Sequence, residues 1–348
     1  MRDIRLGRKY VGSDTPCYII AEMSANHAGE IERALEIVRA AKAAGADCIK
    51  IQTYTADTIT LDCDNEYFKI KEGKWRGENL HELYQKAYTP WEWQARIKEE
   101  AEKMGLDFLS TPFDRTAVDF LEGLGVSFYK IASFEVVDIP LIKYVASKGK
   151  PIVMSTGMAT LGEIEEAVQT IRANGDPEFC LLRCSSAYPA IPEDMNLKSL
   201  KTLSEIFQAP VGLSDHSMGM VAAVTAVALG AKVIEKHFCI SRKIENPDAS
   251  FSMEPEEFRQ MVDAIRETEK AMGQVSFDVS EGEKASRALR KSIFISESVR
   301  KGDILSERNI RVVRPANGLE PKHFEDVLGK RFLEDFEAGT PLRWNMFD

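Results

Sequence analysis

No apolar run in this 348-residue chain is long enough to span a bilayer; the longest, such as Val221–Leu229, fall far short of the ~20 residues a membrane helix needs. The N-terminus, Met1-Arg-Asp-Ile-Arg, lacks the apolar segment of a secretory signal. Cysteine is sparse. The six residues (Cys17, Cys48, Cys63, Cys180, Cys184 and Cys239) include no CxxC pair, the usual signature of a closed metal or dithiol site. Four of them sit inside apolar runs, where a reduced cysteine acts as a small hydrophobe, so all are expected to be free thiols in a reducing cytoplasm. Positive charge is short as well: 45 Lys and Arg against 55 Asp and Glu give a net charge of -10, which argues against binding nucleic acid through phosphate contacts.

What is present is one alternation, repeated. The strand candidates are Tyr18–Met23, Cys48–Tyr54, Asp107–Thr111, Phe128–Ser133, Pro151–Ser155, Phe179–Cys184, Val211–His216 and Val233–Phe238. Each precedes a helix-like stretch: 30–44, 91–104, 114–124, 138–148, 161–173, 196–207, 219–229 and 255–272. The segment EIERALEIVRAAKAA at 30–44 has apolar spacing near 3.6 and stops at Gly45. Strands such as PIVMS are apolar at successive positions, as a parallel sheet covered by helices requires. Eight such units fit a (β/α)8 TIM barrel of ~250 residues. The alternative, an open doubly wound sheet, would usually carry a GxGxxG turn after its first strand, and here that strand runs into AEMSANHAGE.

These patterns divide the chain into a barrel over 1–275, a polar linker over 276–286 and a small β-rich module over 287–348. The last part is basic: residues 284–348 hold 13 Lys and Arg against 10 Asp and Glu, whereas the rest holds 32 against 45. Residues 55–90 form an unusually long connection where 2–6 residues would be typical, and are a lid candidate.

Barrel active sites lie at the C-terminal strand ends, and there every strand carries polar groups. They are Glu22; Lys50 and Gln52; Thr111; Lys130, Ser133 and Glu135; Ser155; Ser185, Ser186 and Tyr188; Ser214, Asp215 and His216; and Glu235 and His237. Singly, a Ser or Thr after a strand is usually a turn or cap residue. His216 and His237 end adjacent strands, with Glu22 and Asp248 as carboxylates expected nearby. Two imidazoles completed by water or substrate oxygen suit manganese or magnesium better than a closed structural zinc site. Lys50 and Lys130 are embedded in apolar strands, where an unpaired ammonium is costly, and with the neighbouring hydroxyls they suit phosphate and carboxylate oxygens. A Schiff-base lysine is the competing reading.

The motifs IIAEMSANHAG (19–29), KIQTY (50–54), STPF (110–113), YKIASFE (129–135), STGMAT (155–160), CSSAYP (184–189), GLSDHS (212–217) and EKHF (235–238) resemble the sialic acid synthase family of phosphoenolpyruvate-dependent nonulosonate synthases. The tail, with RPANGL at 314–319, resembles that family's antifreeze-like (SAF) domain. The segment 68–93 and CSSAYP resemble the branch that makes pseudaminic acid; sialic acid synthases tend to have Asn-Ile-Tyr-Pro where this chain has Ser186-Ala187-Tyr188-Pro189.

The resemblance implies a (β/α)8 barrel with a SAF domain, and a metal-dependent condensation of phosphoenolpyruvate with an acetamido hexose. It implies that His216 and His237 hold a divalent ion, usually manganese, with magnesium or cobalt able to serve. Lys50, Thr111, Lys130, Ser133, Ser155, Ser186 and Ser214 would hold phosphoenolpyruvate, with Ser186 standing where an Asn is usual. Gln52, Glu135, Tyr188 and Asp248 would face the sugar, and Glu22 or Glu135, with Lys50 and Lys130, would carry the catalysis. Arg314 would reach from one subunit's tail into its partner's barrel in a domain-swapped homodimer. Ice binding by the tail is a rival of another class, but the charge density of 284–348 is poor for a flat, weakly charged face.

Overall fold

The computed structural model describes residues 3–348. The chain divides into two compact units, the first ending at Gly273 and the second running Gln274–Asp348. The first unit opens with an antiparallel hairpin, β1 (Ile4–Leu6) and β2 (Lys9–Val11). Eight parallel strands follow: β3 (Tyr18–Glu22), β4 (Cys48–Thr53), β5 (Asp107–Pro112), β6 (Tyr129–Ile131), β7 (Ile152–Ser155), β8 (Phe179–Cys184), β9 (Val211–Asp215) and β10 (Val233–His237). The ladder runs β5-β4-β3-β10-β9-β8-β7-β6, and its two ends lie side by side to close a nearly continuous barrel. The expected strands therefore appear within a residue or two of their boundaries, and the (β/α)8 architecture is the one observed.

Strand alternation divides the barrel interior into two storeys. Near the N-terminal ends the inward side chains are apolar: Tyr18, Ile20, Cys48, Leu109, Phe128, Val153, Cys180, Leu182 and Val233 form one buried cluster. Two residues further along the same strands the inward positions become Glu22, Lys50, Thr111, Lys130, Ser155, Cys184 and Glu235, all buried. Ile4, Leu6 and Val11 of the hairpin join the lower cluster and plug the barrel floor. The hairpin was not expected from sequence, because three-residue strands carry too little periodicity to register. Gly212 is obligatory in this crowded interior: a Cβ there would fall 2.3 Å from Val233 O and 2.6 Å from Leu182 Cδ2.

Helices at 31–43, 91–103, 115–124, 139–146, 161–173, 199–207, 221–228 and 255–272 cover the outer face. Their starts and stops follow local chemistry. Asp114 accepts hydrogen bonds from Thr116 N and Ala117 N, Thr160 and Glu163 form a reciprocal capping box, and Gly125 at φ +68° ends its helix. Their inward stripes, for example Ala34, Leu35, Ile37, Val38 and Ala41, pack on the outward strand residues Ile19, Ala21, Ile49 and Ile51. Full burial of one such aliphatic side chain contributes ~1.5–3 kcal/mol. Among the described residues no helix is long and apolar enough to cross a membrane.

The long connection 55–90 is ordered by two short helices, Ala56–Ile59 and Leu80–Ala87, and by a bridge pairing Lys69 with Asn79. Its tip closes on itself through Ile70 N to Glu78 O (3.0 Å) and Gly77 N to Ile70 O (2.8 Å).

The second unit contains a helix at Glu281–Arg287, starting in the stretch read as linker and ending one residue beyond it, and an antiparallel pair, β11 (Ser292–Ile295) with β12 (Ile310–Val313). Ile293, Ile295, Val299, Leu305, Ile310, Val327, Phe332, Leu342, Met346 and Phe347 form its core. Gly318 of the NGL turn lies so close to this sheet that a Cβ would meet Ile293 O at 2.1 Å.

Candidate active site

The upper storey of the barrel is a lattice of buried charges. In the ladder Glu22 sits opposite Lys50 on one side and opposite His237 on the other, while Glu235 sits opposite Ser214. Lys50 Nζ lies 3.0 Å from Glu22 Oε2, 3.1 Å from Glu235 Oε1 and 3.5 Å from Thr111 Oγ1. Lys130 Nζ donates to Ser155 Oγ at 2.5 Å and Ile131 O at 3.1 Å, and stands 3.8 Å from Glu235 Oε2. Ser214 Oγ donates to Glu235 Oε1 at 3.3 Å. Gln52 Nε2 donates to Glu22 Oε1 and Ser24 Oγ at 3.0 and 2.9 Å. Glu235 thus joins the two lysines, a role the sequence reading missed. Its position two residues before His237 on a strand of period two was the available signal.

The two lysines differ electrostatically. Burial pushes both ammonium groups down, but for Lys50 the carboxylates of Glu22 and Glu235 outweigh it and hold the group above its ordinary value. Lys130 remains below its ordinary value, because burial is only partly offset by the more distant Glu235. Among the carboxylates, burial raises Glu22 to about 7, opposed by Lys50 and reinforced by Glu235. Burial likewise raises Glu135 to about 7. Oε2 of both is buried without a hydrogen-bond partner, but Glu22 Oε2 has the Lys50 ammonium 3.0 Å away and Glu135 pairs with no cation among the described residues.

The serines form a second shelf. Ser133 Oγ accepts from Gly157 N at 3.1 Å, and a Cβ on Gly157 would fall 2.3 Å from Ser186 Oγ and 2.8 Å from Ser133 Oγ. Gly157 is therefore the reason both hydroxyls can crowd one point, and the sequence reading did not single it out. Cys184 Sγ lies 3.6 Å from Ser186 Oγ and 3.7 Å from His216 Nδ1.

His216 and His237 meet as expected, with ring centroids 5.3 Å apart. His216 Nδ1 lies 3.0 Å from Ser185 O, an acceptor, so in the neutral ring Nδ1 carries the proton and Nε2 keeps its lone pair. His237 Nδ1 is buried without a partner, and burial holds that ring well below the ordinary histidine value, hence neutral. Two imidazoles with an orphaned nitrogen fit a divalent ion. The carboxylates expected beside them are engaged elsewhere: Glu22 with Lys50 and Gln52, and Asp248 by accepting from Ala25 N at 3.2 Å. Among the described residues no group of three or more His, Cys, Asp or Glu side chains surrounds a common point. A bound ion would complete its shell with water or substrate oxygen, the arrangement of a catalytic site.

Aromatic rings wall the mouth. Tyr188 lies 4.5 Å from His216 and 5.3 Å from Phe251, centroid to centroid. Trp75, from the tip of the 55–90 loop, stands 5.7 Å from Tyr188. Lys74 Nζ lies 4.9 Å above the Phe251 ring and donates to Pro247 O. The loop therefore covers part of the barrel opening, and Lys74, Trp75 and Phe251 are mouth residues that strand-end reasoning could not reach.

Asp215, counted among the strand-end polar groups, faces outward instead. It pairs with Lys236 Nζ at 2.7 Å and caps Ser217 N at 2.8 Å, a buried structural bridge between β9 and β10. Arg314 belongs to the second unit, where with Arg311, Phe294 and Pro315 it lines a cavity of about 410 Å³. All six cysteines are free thiols.

Comparison with known proteins agrees with this fold. The NeuB family profile matches residues 37–277 and the SAF domain profile matches 290–348. A pseudaminic acid synthase of Campylobacter jejuni is 45% identical over 335 residues, covering 96% of this chain and 98% of that protein. An N,N'-diacetyllegionaminic acid synthase of Legionella pneumophila is 37% identical, covering 97% and 96%. The crystal structure of an N-acetylneuraminic acid synthetase from Leptospira borgpetersenii, in complex with citrate, superposes with a TM-score of 0.73 at 31% identity. It covers 82% of this chain and 95% of that one. With the barrel and the C-terminal module both matched, the chain belongs to the NeuB family and carries a SAF domain.

Proposed function

We propose that the protein is a pseudaminic acid synthase, condensing phosphoenolpyruvate and water with 2,4-diacetamido-2,4,6-trideoxy-L-altrose to give pseudaminic acid and phosphate. The observation that carries this reading is the pair of buried lysines, Lys50 and Lys130, inside the barrel mouth of a chain 45% identical to a pseudaminic acid synthase.

The chain's own groups account for the anion. Lys130, its ammonium compensated only at 3.8 Å, and the hydroxyls of Ser133, Ser155, Ser186 and Ser214 offer donors to phosphate oxygens. Lys50 and Thr111 offer donors to the carboxylate. Phosphoenolpyruvate brings negative charge among Glu22, Glu135 and Glu235, which two of these tolerate because burial has already brought them to the edge of protonation. In the reaction the methylene carbon of phosphoenolpyruvate bonds to the sugar's aldehyde carbon, and the aldehyde oxygen takes up a proton to become a hydroxyl. Water adds to the cationic carbon left at C2, losing a proton, and the carbon–oxygen bond to phosphate then breaks as the C2 hydroxyl passes its proton to the departing phosphate, leaving the keto group. Glu135, with its free oxygen, is the proton carrier in this reading; Glu22, held by both Lys50 and Gln52, positions the lysine.

His216 and His237 would hold a divalent ion, manganese for preference, which supplies Lewis-acid polarisation of the aldehyde when bound. Gln52, Tyr188 and Asp248 would orient the sugar. The exposed apolar rim of the mouth, including Phe134, Val137, Met158, Ile191, Met218 and Val221, supports a homodimer in which a partner's SAF domain covers it and brings in the partner's Arg314. Six free thiols suit a cytoplasmic enzyme.

The 37% identity to an N,N'-diacetyllegionaminic acid synthase favours, as second reading, the same chemistry on another acetamido sugar. The test is phosphate release with the altrose derivative, its legionaminic counterpart and N-acetylmannosamine, each with and without chelator. Turnover of the altrose derivative alone is the expected result; turnover confined to either of the others overturns the sugar assignment.

A further inference from the structure

Trp75 is an anomaly at the mouth. It stands on the loop tip between Gly73 at φ +81° and Gly77 at φ +92°, two positions whose left-handed backbone favours glycine and lets the chain reverse within four residues. The tip is anchored at both sides: Lys74 donates to Pro247 O and lies on Phe251, and Trp75 O accepts from Glu78 N at 3.1 Å. Yet the indole Nε1 of Trp75 is buried and has no hydrogen-bond partner among the described residues. A buried donor left unpaired costs about 1–3 kcal/mol, so an indole held this firmly in a substrate mouth is a donor awaiting an acceptor.

The order of groups along the wall says which acceptor. Going outward from the histidine pair come Tyr188, 4.5 Å from His216, and then Trp75, 5.7 Å from Tyr188. With the aldehyde end of an open-chain sugar at the histidines, Trp75 faces substituents several carbons away. An indole N–H can only donate, which selects an oxygen acceptor, and the amide carbonyl is the strongest acceptor among an acetamido sugar's neutral groups; the ring beside Tyr188 suits the acetamido methyl.

We propose that Trp75 is a specificity-determining residue: its Nε1 donates to the carbonyl of the acetamido group distal to the aldehyde, the group that N-acetylmannosamine lacks. The inference rests on the synthase reading above and names the part of the site that separates diacetamido from monoacetamido sugars. It assigns the 55–90 loop a role in recognition rather than only in coverage.

The test is Trp75→Phe in the full-length, metal-loaded enzyme, which keeps an aromatic ring and removes the donor. The KM for the diacetamido altrose rises about tenfold, the equivalent of about 1.4 kcal/mol, while the inhibition constant of N-acetylmannosamine and the KM for phosphoenolpyruvate stay as in wild type. An unchanged sugar KM overturns the proposal, as does an equal rise in the N-acetylmannosamine or phosphoenolpyruvate constants. If wild type turns over a different diacetamido sugar, the sugar assignment fails on its own account, and the Trp75→Phe comparison is made on that sugar with the same two outcomes.

Discussion

Lys50 and Glu235 face each other at 3.1 Å across the barrel mouth, each about 5% exposed, and Glu235 reaches the second lysine with its other oxygen. Before any substrate arrives, the cations that would bind phosphoenolpyruvate are already neutralised by carboxylates of the fold. Glu235→Gln therefore leaves Lys130 buried with no carboxylate and weakens Lys50. The free protein loses about 3 kcal/mol of stability, as breaking buried ion pairs does. Saturating phosphoenolpyruvate restores more of the melting temperature in the variant than in wild type. Thermal unfolding with and without phosphoenolpyruvate measures both; equal ligand-induced shifts would contradict the anion assignment.

Lys130→Met replaces the less compensated cation by an apolar side chain of similar length. It lowers kcat/KM for phosphoenolpyruvate by about a hundredfold or more, since a buried charge-assisted contact is lost in ground and transition states alike. Lys130→Arg does not restore the rate, because a planar fork cannot replace a point charge held between Ser155 Oγ and Ile131 O.

Glu135 links pH to stability with a definite sign. Its carboxyl is raised from 4.5 to about 7 in the folded chain, so between those values the native state binds the extra proton. This group's contribution is fully present below its ordinary value and is lost as pH rises through about 7. Denaturant melts at about pH 5 and about pH 8 should show wild type losing more stability over that interval than Glu135→Gln, which has no proton to lose. Equal losses would mean that the Glu135 carboxyl is not raised.

Gly157→Ala tests the serine shelf. A Cβ placed 2.3 Å from Ser186 Oγ and 2.8 Å from Ser133 Oγ forces both hydroxyls aside. The KM for phosphoenolpyruvate rises roughly tenfold with little change in the sugar KM, and adding Ser186→Ala recovers part of the loss by making room. Steady-state kinetics of the single and double variants decide it.

If His216 and His237 hold the proposed ion, chelation of divalent ions should abolish turnover and manganese should restore it. His216→Ala and His237→Ala each lower the manganese content of purified protein, measured by elemental analysis, while leaving the melting temperature of the metal-free chain within a few degrees. Full activity in excess chelator would remove the metal from the mechanism.

Much of this was legible in the sequence, for identifiable reasons. Barrel strands announce themselves as short apolar runs between amphipathic helices, and inward polarity at strand ends follows from a period of two, so Lys50, Lys130, His216 and His237 stood out. Partnership did not. The sequence marks Glu235 as a strand residue but not as the bridge between two lysines, because that depends on which strands become neighbours across the barrel. Asp215 shares a motif with His216 yet faces the other way, as adjacent strand residues must, and pairs with Lys236. Lys74 and Trp75 come from a loop whose path depends on tertiary anchors at Pro247, Phe251 and Tyr188 rather than on local pattern.

The loop tip carries a consequence for diversification within the family. Its backbone closes through its own hydrogen bonds from Ile70 to Glu78, while the barrel floor is plugged by a hairpin at the opposite end of the fold. If Trp75 reads the sugar as proposed, exchange of residues 71–77 would alter which sugar is welcomed while leaving the barrel core, which contains none of them, in place.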